Sequence, residues 1–156
     1  MSKRWLAAVV SLIAGSAPAR AAPQICAWLV ESNKPDNVRR VDLWLQSDVD
    51  LSFVYKIGGK GIVTGSGTSS APADSTYDLR AGKAENVWGF GATLDVLPGK
   101  IDVTVELHEK PADIFSDEPT PLLAAFAFSR DIPSSERDPP ATLASKQCAA
   151  FAGLKK

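Results

Sequence analysis

Few side chains in this sequence are spaced to do chemistry, and the leading candidates are two cysteines, one histidine and a run of small residues. Cys26 and Cys148 stand near opposite ends of the chain. Neither belongs to a C-x-x-C or C-x-C arrangement, the spacing that sets two thiols together as a redox couple or as half of a zinc site. They read first as a disulfide, with a redox pair or metal site as the weaker alternative, because the single His108 is far from both in sequence. Such a bond closes a loop of over a hundred residues, for which chain entropy gives about 4 to 5 kcal/mol before strain. His108 falls on the polar side of an alternating run, with no second His, Cys or ordered acidic pair near it. It reads as a surface residue rather than a base or ligand. Gly65-Ser66-Gly67-Thr68-Ser69-Ser70 lacks the lysine and following helix of a phosphate loop, so it reads as a solvated connection. No catalytic residue, cofactor or metal is assigned, and the chain is not read as an enzyme.

The elements that must carry these residues are extended. Leu51, Phe53, Tyr55 and Ile57 alternate with Ser52, Val54 and Lys56, the period of two that sets one face of a strand on a core. Gly58-Gly59-Lys60-Gly61 then reads as a turn into a second extended segment, Ile62-Val63-Thr64. Upstream, Val41, Leu43 and Leu45 alternate with Asp42, Trp44 and Gln46, and Ser47-Asp48-Val49-Asp50 reads as the loop of an antiparallel hairpin with the 51–57 strand. In that register Arg40, Trp44, Val54 and Lys56 stand on the outer face of one hairpin. This mixed apolar and cationic surface is the candidate binding site, the alternative being that the C-terminal tail covers Trp44.

Other strands follow the same logic. Residues 25–31 are apolar on both sides, with Cys26, Trp28 and Val30 opposite Ile25, Ala27 and Leu29, as in a strand covered on both faces. A short strand ends with Tyr77 and Leu79 inward before an Ala81-Gly82-Lys83 turn. Trp88, Phe90, Ala92, Leu94 and Val96 share one side of the next strand, and Pro98-Gly99-Lys100 reads as a hairpin turn. Ile101, Val103, Val105 and Leu107 give the cleanest alternation, and Leu122, Ala124, Phe126 and Phe128 mark a last strand. Residues 131–140 turn polar and proline-rich, which disfavours packed structure. Residues 141–154 read as a short helix, or as a mobile tail unless Cys148 ties them down. The expected fold class is all-β, an immunoglobulin-like β-sandwich of seven or eight short antiparallel strands.

Lys3 and Arg4 precede an apolar stretch over residues 5–14, and Ala19-Arg20-Ala21 fits the small-residue pattern for cleavage before Ala22. Residues 1–21 therefore read as a secretory signal peptide, 22–130 as the sandwich and 131–156 as a linker and tail. About ten apolar residues are too few to span a bilayer, which takes roughly 20 in a helix. The expected mature protein is exported, periplasmic or extracellular, a monomer not inserted in the membrane. Cleavage removes Lys3, Arg4 and Arg20, three of the 17 basic residues and none of the 18 acidic ones, so the formal charge moves from −1 to −4. That balance offers no general basic footprint for nucleic acid.

Several of these stretches, in this order, resemble the curli assembly proteins of the CsgH type, fold relatives of CsgC. The matching residues are Ile25-Cys26, Phe53-Val54-Tyr55, the 65–70 run, Tyr77-Asp78-Leu79 followed by Ala81-Gly82-Lys83, and Leu97-Pro98-Gly99 before Ile101. The likeness covers residues 25–129. Pro72-Ala73-Asp74-Ser75-Thr76 replaces the family's glutamine and glycines, and the tail from Asp131 is outside the pattern. The resemblance implies a periplasmic chaperone-like protein that keeps secreted amyloid subunits of curli type from assembling before export. The hairpin face that alternation picks out, with Arg40, Trp44, Val54 and Lys56, is then where such a client is expected to bind. CsgC carries a C-x-C pair that this chain lacks, so no redox activity is carried over. An envelope interaction or adhesion module and a proteinaceous inhibitor of an extracytoplasmic hydrolase remain as alternatives that the same fold would serve.

Overall fold

The computed structural model describes residues 21–35, 38–62, 67–68, 76–93, 99–113, 119–133, 135–136 and 145–152. Residues 1–20, where a signal peptide is expected, most of the 65–70 run, Leu94, Val96 and the 137–144 part of the tail lie outside the described residues. Nine strands are formed among the described residues: β1 (Gln24–Lys34), β2 (Val38–Ser47), β3 (Leu51–Ile62), β4 (Gly67–Thr68), β5 (Thr76–Leu79), β6 (Ala84–Thr93), β7 (Gly99–Glu109), β8 (Leu122–Ile132) and β9 (Gln147–Ala150). They make two antiparallel sheets. One runs β6-β2-β1-β9; in the other, β4 and β5 pair with successive stretches of one edge of β3, followed by β7 and β8, so that it too is four strands wide.

The alternating runs explain the packing directly. Ile25, Ala27 and Leu29 on β1 and Val41, Leu43 and Leu45 on β2 are buried, and they meet Leu51, Phe53, Tyr55 and Ile57 on β3 and Ile101, Val103, Val105 and Leu107 on β7. Ala124, Phe126 and Phe128 complete the inner layer from β8. Each large side chain removed from water contributes about 1.5 to 3 kcal/mol, so this interface between the sheets is the main source of stability. Leu122, expected with that set, is instead 57% exposed. The register between β7 and β8 shifts at Leu107/His108, which leaves Leu122 opposite His108 on the outer side.

Several expectations are corrected. The 41–46 and 51–57 strands do not form a hairpin, because β2 pairs with β1 and β6 while β3 pairs with β7. Residues 47–50 cross from one sheet to the other. Asp48 accepts from the Gln24 amide at 2.9 Å, and Asp50 accepts from the Ala81 amide at 2.8 Å. A short polar loop between two alternating strands suits a hairpin and a sheet-to-sheet arch equally, and here both apolar faces are better covered by the arch. The same holds at Pro98-Gly99-Lys100: β6 and β7 belong to different sheets, so that connection is no hairpin.

The glycines at 58–61 make no turn either, since β3 continues through them to Ile62. Gly58 is there for close approach, because a Cβ at that position would lie 2.8 Å from the Thr104 Oγ1 on β7. The turn expected at Ala81-Gly82-Lys83 does form, with φ of 74° at Gly82. Finally, the C-terminal stretch contains no short helix among its described residues. Gln147–Ala150 is β9, paired with residues 24–27 of β1. The boundary expected at residue 130 falls inside β8, and Ile132 beyond it is fully buried.

Candidate functional site at the open side of the sandwich

The four surface residues singled out by alternation do point outward, but from different sheets. Arg40 and Trp44 lie on β2, while Val54 and Lys56 lie on β3, with the core between them. Trp44 faces Trp28 across β1 and β2, their rings stacked with centroids 6.4 Å apart. Lys146, just before β9, places its Nζ 4.8 Å from the Trp28 centroid and donates to Gln46 at 2.8 Å. The outward tryptophans are thus occupied by each other and by a cation from the tail. Arg40 donates to Asp42 at 2.8 Å. On the other sheet Val54 stands opposite His108 and Lys56 opposite Glu106. The His108 ring nitrogens lie 3.1 Å from Glu106 and from the Thr120 carbonyl, which explains a half-buried histidine without a catalytic partner.

Cys26 and Cys148 form the expected disulfide, directly opposite each other on β1 and β9. Among the described residues no group of three or more His, Cys, Asp and Glu side chains could hold a metal ion.

A charged cluster that alternation did not single out fills one end of the sandwich. Arg39 on β2 is fully buried and donates to Asn33 at 3.0 Å, to Glu31 at 3.1 Å and to Glu136 at 2.7 Å. Arg130 on β8, in the opposite sheet, donates to both Glu31 oxygens and to both Glu136 oxygens. Two guanidinium and two carboxylate groups cancel in charge and satisfy one another, the condition under which ions are tolerated out of water. The two arginines hold the Glu136 carboxyl at about 2, chiefly through the Arg130 hydrogen bonds and against the effect of burial, and the Arg130 guanidinium is correspondingly raised.

Beside this cluster one lateral opening of the sandwich is unfilled. A cleft of about 260 Å³ runs between β1 and β8, lined by Leu29, Ile101 and Phe128, with Glu31 and Arg130 at its charged end and Gln147 at its other wall. Its rim on one side is the outer edge of β8. The Ala127 carbonyl points away from β7, since it accepts the Gln147 Nε2 at 2.8 Å. By the period of the strand, the main-chain groups of Ala125 and Ser129 point the same way. Among the described residues no strand pairs with that edge.

The other edges are protected. β4, β5 and β9 are two to four residues long. β6 carries a register shift opposite Leu43/Trp44, and Glu85 at its start accepts from the Tyr77 hydroxyl of β5 at 3.0 Å. That contact bridges the opposite lateral opening, and the Glu85 carboxyl is held below its ordinary value first by Lys83 and then by Tyr77. β8 spans 11 residues and has no charge, proline or glycine from Leu122 to Ser129. Long uncharged edges of this kind are templates for another strand.

No protein-family model, curated protein or solved structure matches this chain.

Proposed function

We propose that this protein is an exported holding protein for an aggregation-prone, β-forming client, binding it transiently and without covalent chemistry. The sandwich is of immunoglobulin-like type in this reading, supported by its strand order. β6-β2-β1 and β3-β7-β8 follow the E-B-A and C-F-G order of that fold, with β5 added outside the third strand and β9 outside the first. The client is a secreted amyloid subunit of curli type, as the resemblance of residues 25–129 implies, and the compartment is the periplasm, with which the disulfide is in keeping.

The open edge of β8 is the observation that carries the reading. A chain that offers one long uncharged edge, while its remaining edges are short, bulged or bridged, can take up an extended segment by main-chain pairing and so compete with cross-β stacking. Arg40 and Lys56 lie on opposite faces, and exposed charges so placed act on encounter rather than on the docked complex. The experiment is fibril formation by a curli-type subunit, followed by dye fluorescence with substoichiometric amounts of the disulfide-bonded protein. A lengthened lag is expected. An unchanged lag at equimolar protein would overturn the reading.

A further inference from the structure

We infer that Gln147 guards the β8 edge by imitating a partner strand, and that the cleft behind it takes one inward side chain of an uncharged, extended segment from another polypeptide. The inference rests on the holding function and adds the chemistry of what is held. The Gln147 Nε2 lies 2.8 Å from the Ala127 carbonyl, where the backbone N–H of an added strand would donate. An amide donor is replaced there by an amide donor, so displacing the side chain changes little in hydrogen-bond energy. Pairing at Ala125 and Ser129 is then gained.

A strand laid along this edge alternates its side chains between solvent and the cleft. On the inner side it meets Leu29, Ile101 and Phe128. The charges of Arg130 and Glu31 at the far end are already engaged with each other and with Glu136, so they offer nothing to an incoming ion. An aliphatic or aromatic side chain is accepted there, and a carboxylate or ammonium group is rejected by the cost of losing its water. The outer neighbours are Ala125, Ala127 and Ser129, all small and exposed, which place no demand on the solvent side of the partner.

The test uses the intact disulfide-bonded protein and a ten-residue peptide of alternating Val and Thr, flanked by lysines for solubility. Amide exchange read by NMR is expected to slow at Ala125, Ala127 and Ser129 on adding the peptide. Gln147→Ala should tighten binding by roughly threefold to tenfold, because the guard is gone. Asp in place of the central Val residues should weaken it at least about tenfold. Protection confined to other strands, or equal affinity for the Val and Asp peptides, overturns the inference. So does protection that grows with protein concentration alone alongside a dimer in sedimentation, since the occupant is then a second copy of β8. If the curli-type subunit is delayed while β8 amides stay unprotected, this inference fails and the holding function stands. If β8 is protected by the peptide while no fibril delay is seen, the holding function fails and strand recognition stands.

Discussion

Arg39 and Glu136 are 97 residues apart in sequence, and the buried guanidinium donates to the carboxylate at 2.7 Å. With Glu31 and Arg130 they close one end of the sandwich by ions rather than by apolar contact. Arg39→Ala should cost about 3 to 5 kcal/mol, because Glu31 and Glu136 then share one cation in a dehydrated site. Urea unfolding at neutral pH measures it, and a loss under 1 kcal/mol, on the order of a surface pair, would contradict the buried placement.

The same cluster sets an acid limit. The Glu136 carboxyl lies at about 2 in the folded protein against an ordinary 4.5. The folded value is the lower one, so the stabilisation is complete above about pH 4.5 and is lost as pH falls toward 2. Glu136→Gln should lower stability at neutral pH and flatten its decline between those two values. Parallel declines in the variant and the parent across that window would exclude Glu136 as the group responsible.

The disulfide offers a separate measure of how the tail is held. The cysteines are 122 residues apart, which sets a chain-entropy ceiling of about 5 kcal/mol. Replacing both by Ala is expected to cost about 2 to 4 kcal/mol in urea unfolding, with the exchange of β9 amides rising more than that of β7.

Trp28 and Trp44 should couple. A double-mutant cycle to Leu is expected to return about 0.5 to 1.5 kcal/mol of interaction beyond the single losses. Lys146→Ala should alter the tryptophan fluorescence while costing about 0.5 to 1 kcal/mol. Purely additive Trp losses would mean that the rings serve only to cover the sheet.

Charge reversal separates the outer faces from the edge. With Arg40 and Lys56 on opposite sheets, Arg40→Glu combined with Lys56→Glu should leave the fibril delay within about twofold, while stability falls by about 1 kcal/mol as the new carboxylates meet Asp42 and Glu106. A large loss of inhibition that deepens at low salt would return the binding surface to the outer faces.

The inner and outer faces of β2, β3, β7 and most of β8 were legible because alternation has a period of two and one face of each strand is apolar; β1, apolar on both sides, offered no such choice. The pairing of strands was not, since residues 47–50 and 98–100 read alike as hairpin loops and as crossings between sheets. The ionic cluster was hidden for a different reason. Glu31, Arg39 and Arg130 each occupy the next inward step of an apolar series, 25-27-29, 41-43-45 and 124-126-128. A charge at such a step looks like the end of a strand unless opposite charges are found at the matching steps of its neighbours. The β8 edge was likewise out of reach, because a strand is an edge only by virtue of what does not lie beside it.

β1 lies between its nearest neighbour in the chain and its most distant one. Its pairing with β2 can begin as soon as residue 47 has been made, whereas the pairing with β9 waits for residue 147 and beyond. Contacts so far apart in sequence slow folding toward the millisecond to second range, and they fix its order. β9 can dock onto a β1-β2 pair that formed before it, and the covalent bond between Cys26 and Cys148 records that every residue between the two has been made.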